Sequence, residues 1–139
     1  MQVKVFDALP KEAVEIRRTV FVEEQGFQSE FDGVDDVADH FVIFDDVGAP
    51  VSTCRVFFDD KKGVYVMGRF AVKKEIRGKS VGRQMVKAVG EYVRKKGKNE
   101  LQVHAQRRAA PFYQKVGFTP FGKEDEDEGV PHIWMKKEI

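Results

Sequence analysis

The sequence predicts a mixed α/β (α+β) fold: an antiparallel meander, then a parallel strand–helix–strand unit, with helices on both faces of one sheet. Two observations predict it. Three apolar runs between residues 41 and 72 are joined by short turns rich in Asp, Lys and Gly, as in consecutive hairpins. From residue 81 the apolar period becomes helical, and a strand-like run at 101–105 follows, which implies a right-handed crossover to a parallel neighbour.

The elements follow in order. Val3 and Val5 alternate with polar residues as in a short strand, and Pro10 opens a helix where its missing N–H costs nothing. Ala13, Ile16 and Val20 form that helix's apolar stripe. Phe27–Asp39 is acidic and broken by glycine, so it reads as a loop with one short helical turn. Phe41–Phe44, Val51–Phe58 and Val64–Val72 are the three strands of the meander, with Asp45-Asp46-Val47-Gly48 and Asp59–Gly63 as turns. After a loop at Lys73–Lys79, Val81, Met85, Val86, Val89 and Val93 fall on one helical face with basic residues opposite, and Gly97 lies beyond its end. Leu101–Ala105 is a strand. Ala109–Val116 suits a short helix that tolerates Pro111 in its first turn and stops at Gly117-Phe118. Phe118–Gly122 and His132–Lys136 read as a final hairpin around an acidic loop, Glu124–Glu128.

Composition narrows the function. The 139 residues fit one domain, 1–139, large enough for a core without staples. Lys and Arg number 24 against 23 Asp and Glu, a balance that argues against nucleic acid as the main partner. No run reaches the ~20 apolar residues that cross a bilayer, and the N-terminus lacks a signal-peptide core, so a cytoplasmic protein without a membrane partner is expected. The lone Cys54 closes no intramolecular disulfide and leaves no metal-ligand cluster, so no metal is expected. Asp32, Asp35 and Asp36 do not complete an EF-hand loop. An exposed last hairpin leaves room for a homodimer.

In α/β arrangements ligands bind beyond the carboxyl ends of strands, which points to the loop after Val72. It reads Lys73-Lys74-Glu75-Ile76-Arg77-Gly78-Lys79-Ser80-Val81-Gly82-Arg83 and runs straight into the long helix. Small residues admit close backbone approach, the first helical N–H groups lack internal partners, and Arg77, Lys79 and Arg83 add charge: an anion site. The bland alternative is a basic loop capped by Ser80. A P-loop would need glycine at Lys73, and G-x-G-x-x-G is absent, so neither nucleotide motif fits.

Arg77-Gly78-Lys79-Ser80-Val81-Gly82 resembles the R/Q-x-x-G-x-G/A pyrophosphate loop of the GNAT N-acetyltransferases, with Ser80 in place of the usual first glycine. Ala110–Phe118 resembles the last nine positions of the same family's A-x-x-F-Y-x-K-x-G-F segment, and Arg17–Gln25 the R-x-x-V-F-V-x-E-Q helix of a small bacterial subgroup. The resemblance covers nearly the whole chain. It implies a GNAT-like fold, acetyl-CoA as co-substrate and a small-molecule or peptide amine as acceptor. The backbone of Phe70, Ala71 and Val72 would bind the pantetheine arm, and an amide near Ala71 or Val72 would face the oxyanion. The amides from Gly78 to Arg83 would cradle the pyrophosphate, where a side chain at Gly82 would intrude. Tyr113 stands at the family position of the acid that protonates the departing thiolate.

Direct attack of an amine on a thioester needs no nucleophilic side chain, but the amine must lose a proton. Glu24, His40, His104 and His132 are the candidate bases, with Glu24 and His104 carried forward beside Tyr113. Arg55 and Arg69, each within an apolar strand, either bind an anionic acceptor or pair with the Asp32–Asp39 carboxylates. The acidic runs read as solvated loops, with attraction of a cationic amine as the functional alternative. Cys54 reads as a small core residue. The competing reading of the whole protein is a non-catalytic acyl-CoA-binding sensor or regulatory module.

Overall fold

The computed structural model describes residues 1–28 and 31–139. The elements are β1 (Gln2–Phe6), α1 (Lys11–Arg17), which continues as a π-helical segment over Arg18–Glu24, a 3-10 turn (Gly33–Asp36), β2 (Asp39–Phe44), β3 (Pro50–Asp59) and β4 (Val64–Val72). A 3-10 turn (Lys74–Ile76) then leads to α2 (Val81–Lys95), β5 (Glu100–Gln106), a 3-10 turn (Arg107–Ala109), α3 (Ala110–Lys115), β6 (Thr119–Pro120), β7 (Asp125–Asp127) and β8 (Val130–Glu138). They build one mixed sheet in the order β1-β2-β3-β4-β5-β8-β6, with β7 paired to β8. Among the described residues only β4 and β5 run parallel; the other pairings are antiparallel.

Each turn is made by the residues that signalled it. Asp45 Oδ1 accepts from the N–H groups of Val47 and Ala49, and Asp59 Oδ1 from those of Lys61 and Lys62, so each aspartate closes its hairpin through its own side chain. The apolar stripe of α2 (Val81, Met85, Val86, Val89, Val93) is buried against Phe41, Ile43, Val56, Met67, Leu101 and Val103 on one face of the sheet. On the other face Ala13, Ile16, Val20 and Phe21 pack against Val42 and Ala71. Burial of two faces explains why the strands read as continuous apolar runs rather than strict alternations.

Two local expectations change. The acidic segment read as a solvated loop is partly β7: Asp125, Glu126 and Asp127 pair with His132, Pro131 and Val130, because Glu128-Gly129 turns the chain back with both residues at positive φ (49° and 78°). Within the acidic run at 32–36, Asp36 is exposed, whereas Asp32 and the buried Asp35 serve as ion-pair partners. Arg17 is bidentate to Asp35 (2.8 and 3.1 Å), and Arg55 bridges Asp32 (2.6 and 3.2 Å) and Asp35 (3.1 Å). Arg69 reaches Asp32 at 3.2 Å, so both strand arginines pair with carboxylates of this loop. Burial by itself raises the Asp35 and Asp32 pKa values, but the facing guanidinium groups outweigh it and hold both carboxyls below the usual range. No helix among the described residues is long and apolar enough to cross a membrane.

Candidate active site

The site begins where two strands part. β4 and β5 are paired only from Tyr65–Met67 to Leu101–Val103. Beyond Met67, β4 stays with β3 as far as Val72, whereas β5 stays with β8 as far as Gln106. A bulge sets the divergence: Gly68 faces Arg55 and Ala71 faces Thr53, so Arg69 and Phe70 together oppose Cys54. Arg69 takes φ 47°, in the left-handed region, and the strand bends there. Among the described residues the far half of β4 therefore has no partner strand on its β5 side, and a cleft of about 840 Å³ fills the gap.

The start of α2 closes one end of this cleft. Gly78 and Ser80 both adopt left-handed backbone, φ 83° and 64°, which turns the chain so that the first helical N–H groups face outward. The first intrahelical bond is Gln84 N–H to Ser80 O (3.1 Å), so the N–H groups of Val81, Gly82 and Arg83 lie ahead of the ladder. Ser80 does stand at the N-cap, but its hydroxyl makes no capping bond, because that backbone conformation replaces the extended one a capping serine uses. A glycine adopts this conformation without the penalty of about 1–2 kcal/mol that other residues carry. Ser80→Gly is accordingly expected not to lower the thermal midpoint, and Ser80→Val to lower it; thermal melts check both.

A Cβ at Gly82 would lie 2.9 Å from Phe112 Cζ and 3.4 Å from Phe70 Cζ, so even a methyl group there would press on an aromatic wall. Gly82→Ala is expected to swing Phe112 aside at a cost of about 1–3 kcal/mol, read by denaturant unfolding, because well-packed sites resist added volume.

The same wall carries Tyr113. Its ring is 5.2 Å from Phe112, 6.3 Å from Phe70 and 5.4 Å from Phe118, and only 8% of the residue is exposed. The side chain lines the cleft, and its hydroxyl has no hydrogen-bond partner among the described residues. Burial pushes the hydroxyl pKa well above the ordinary tyrosine value, so it stays protonated at neutral pH. Burial likewise pushes the Cys54 thiol up, which keeps it out of the chemistry as a core residue.

The opposite wall comes from the π-helical segment and from β5. The wider π turn, seen in Gln25 N–H bonding Val20 O, brings Val20, Phe21, Glu24 and Gln25 to the cleft. Glu24 accepts both guanidinium bonds of Arg77 (2.7 and 2.9 Å), and Arg77 Nε also bonds Val72 O (3.0 Å), tying helix, loop and strand end together. The Arg77 hydrogen bonds hold the Glu24 carboxyl below its usual range and raise the pKa of Arg77. Gln106 bonds Gln25 at 2.9 Å. His104 Nε2 lies 2.7 Å from Asp125 Oδ1, and its ring stacks between Trp134 (4.8 Å) and His132 (4.7 Å). The bond to His104 holds the Asp125 carboxyl below its usual range.

Of the residues picked from the sequence, Phe70, Ala71, Val72, Arg77, Gly78, Ser80, Val81, Gly82, Arg83, Tyr113, Glu24 and His104 all line this one cleft. Lys79 is exposed outside it. His40 is buried with its Nε2 3.0 Å from Asp35 O, and His132 donates Nδ1–H to Val130 O (2.8 Å); neither lines the cleft. Sequence reasoning missed Gln25, Gln106, Arg108, Phe112, Asp127 and Glu128. Gln25 stood in the R-x-x-V-F-V-x-E-Q segment, Phe112 in the segment around Tyr113, and Asp127 and Glu128 in the acidic run, whereas Gln106 and Arg108 carried no signal.

A mixed sheet splayed at its parallel junction, with a helix start aimed into the opening, defines an acyltransferase of the GNAT type. The profile of the Acetyltransferase (GNAT) domain matches residues 6–139, and the chain belongs to that family. It is 33% identical to YjcF of Bacillus subtilis, described as an uncharacterised N-acetyltransferase, over 92% of this chain and 91% of that one. The crystal structure of Escherichia coli ElaA superposes with a TM-score of 0.82 at 27% identity, covering 99% of this chain and 100% of that one. An aminoglycoside 6'-N-acetyltransferase complexed with coenzyme A shares the fold (TM-score 0.79, 15% identity, covering 99% and 97%).

Proposed function

We propose that the chain, as one domain over residues 1–139, transfers the acetyl group of acetyl-CoA directly to a primary amine of a small molecule or peptide. The observation that carries this reading is one cleft holding an unpaired strand edge, a helix start and a protonated tyrosine hydroxyl. The residues present fit the co-substrate. The edge of β4 from Gly68 to Val72 leaves backbone groups for an extended amide-bearing arm, and the N–H groups of Val81–Arg83 suit a diphosphate. The relative of this fold complexed with coenzyme A supports the assignment.

Bound there, acetyl-CoA supplies an activated acyl carbon and a thiolate leaving group. The chain's residues supply the rest. Backbone N–H groups of Ala71 or Val72 stabilise charge on the carbonyl oxygen as nitrogen adds. The Tyr113 hydroxyl gives its proton to the sulfur as the C–S bond breaks. Glu24, with both carboxylate oxygens accepting from Arg77, acts as a positioning residue that holds the loop against β4. Free thiol released from acetyl-CoA in the presence of a panel of primary amines tests the proposal. Release that depends on one class of amine supports it; coenzyme A binding with no turnover on any amine would favour the sensor reading.

A further inference from the structure

The geometry points to His104, oriented by Asp125, as the base that takes the proton from the acceptor amine; this rests on the acetyltransferase reading above. Cross-strand pairing sets the two faces of the sheet. Val103 and Ala105 lie in the core with Tyr113, while His104 pairs across β8 with Trp134, and Gln106 and Asp125 each pair with His132. Alternation therefore puts His104 on the face opposite Tyr113, so acid and base border the cleft from opposite sides of the sheet. That arrangement lets one group face the nitrogen and the other the sulfur of the tetrahedral intermediate.

The contacts of His104 define its protonation. A carboxylate can only accept, so Nε2 carries hydrogen toward Asp125 and the neutral ring keeps its lone pair on Nδ1. Nδ1 has no partner among the described residues, and the side chain is 28% exposed in the cleft wall. Stacking between Trp134 and His132 fixes the ring plane. The balance is complete. The amine nitrogen bonds the acyl carbon, its extra proton passes to His104 Nδ1, the C–S bond breaks, and Tyr113 protonates the sulfur. Both side chains then return to their starting states by exchange with water. Glu24 is the alternative on the facing wall, but its two oxygens are already engaged by Arg77.

The charged and titratable groups around His104 are Asp125 and Asp127 on β7, His132 on β8, Lys62 over the Trp134 ring, and Glu24 across the cleft. The test is the pH profile of kcat with the best amine from the panel. For the native protein we expect rate to rise with pH and then level off, as a base that must be neutral requires. His104→Gln should lower kcat by roughly 10²- to 10³-fold and abolish that rise, with coenzyme A affinity unchanged by calorimetry. Asp125→Asn, at an exposed position that does not threaten folding, should lower kcat by less, with coenzyme A affinity unchanged, because the ring loses the acceptor that fixes its tautomer. His132→Gln should keep the rise. A native rate and rise in folded His104→Gln, a native rate in Asp125→Asn, or a rise lost only with His132 would overturn the assignment while leaving the transferase reading intact. Failure of the native protein to turn over any amine would overturn that reading, and this inference with it.

Discussion

Tyr113→Phe is expected to cut the rate of thiol release by about 10²-fold, the low end for loss of a positioned proton donor. The argument is differential. A leaving thiolate with a conjugate-acid pKa of roughly 8.5, by analogy with cysteine, departs without help but faster with a proton in reach. The hydroxyl is raised above its ordinary value by burial, so it carries that proton across the neutral range and loses no fraction of it there. Removing only the oxygen leaves the ring contacts with Phe70, Phe112 and Phe118 in place. Folding should be untouched, since the hydroxyl has no partner among the described residues. The diagnostic pattern is a fall in kcat with unchanged coenzyme A affinity. A variant as fast as the native protein would remove Tyr113 from the chemistry.

Asp35→Asn should cost about 3–5 kcal/mol of stability at neutral pH, the largest effect expected outside the cleft. Asp35 is 6% exposed and accepts from both Arg17 and Arg55, which are 1% and 5% exposed, so neutralising it removes the carboxylate that two buried guanidinium groups share and leaves Arg55 to Asp32. Arg55 Nε already lacks a hydrogen-bond partner, which leaves no slack for rearrangement. The sign with pH follows. A carboxyl held below its unfolded pKa contributes stability that is complete above the unfolded value of about 3.9 and is lost as pH falls through the folded value. Native stability should therefore decline in the acid range as Asp35 and Asp32 bind protons. The Asp35→Asn variant has already lost that contribution, so its stability curve should converge with the native one at low pH. Urea midpoints measured from pH 2 to pH 7 check this; parallel curves would show that the pair contributes no pH-dependent stability.

This ion-pair network shows where linear reasoning stopped. Arg55 and Arg69 stood out because cations inside apolar strands require partners, and the two outcomes, an anionic acceptor or nearby aspartates, could not be separated along the chain. The fold separates them by laying the loop at 32–36 over β3 and β4, so that Asp32 meets both arginines and Asp35 meets Arg55 and Arg17. Arg17 itself gave no sign of burial, being one of two adjacent arginines on an amphipathic helix.

The chain's order of apolar runs joined by short turns, then a helical period after residue 81, determined the mixed sheet with one parallel junction among the described residues, because those patterns are local properties of backbone geometry. The pyrophosphate-loop pattern and the Phe-Tyr segment likewise marked one wall of the cleft, since main-chain recognition and close packing demand small or aromatic residues at fixed spacing. Only the tertiary structure decided how far β4 and β5 part, why Gly82 must lack a side chain, and which of four candidate bases stand in the opening. Those outcomes depend on contacts between residues tens of positions apart: Gly82 with Phe112, Glu24 with Arg77, His104 with Asp125. No local pattern encodes such distances, because they are set by the register and twist of the assembled sheet.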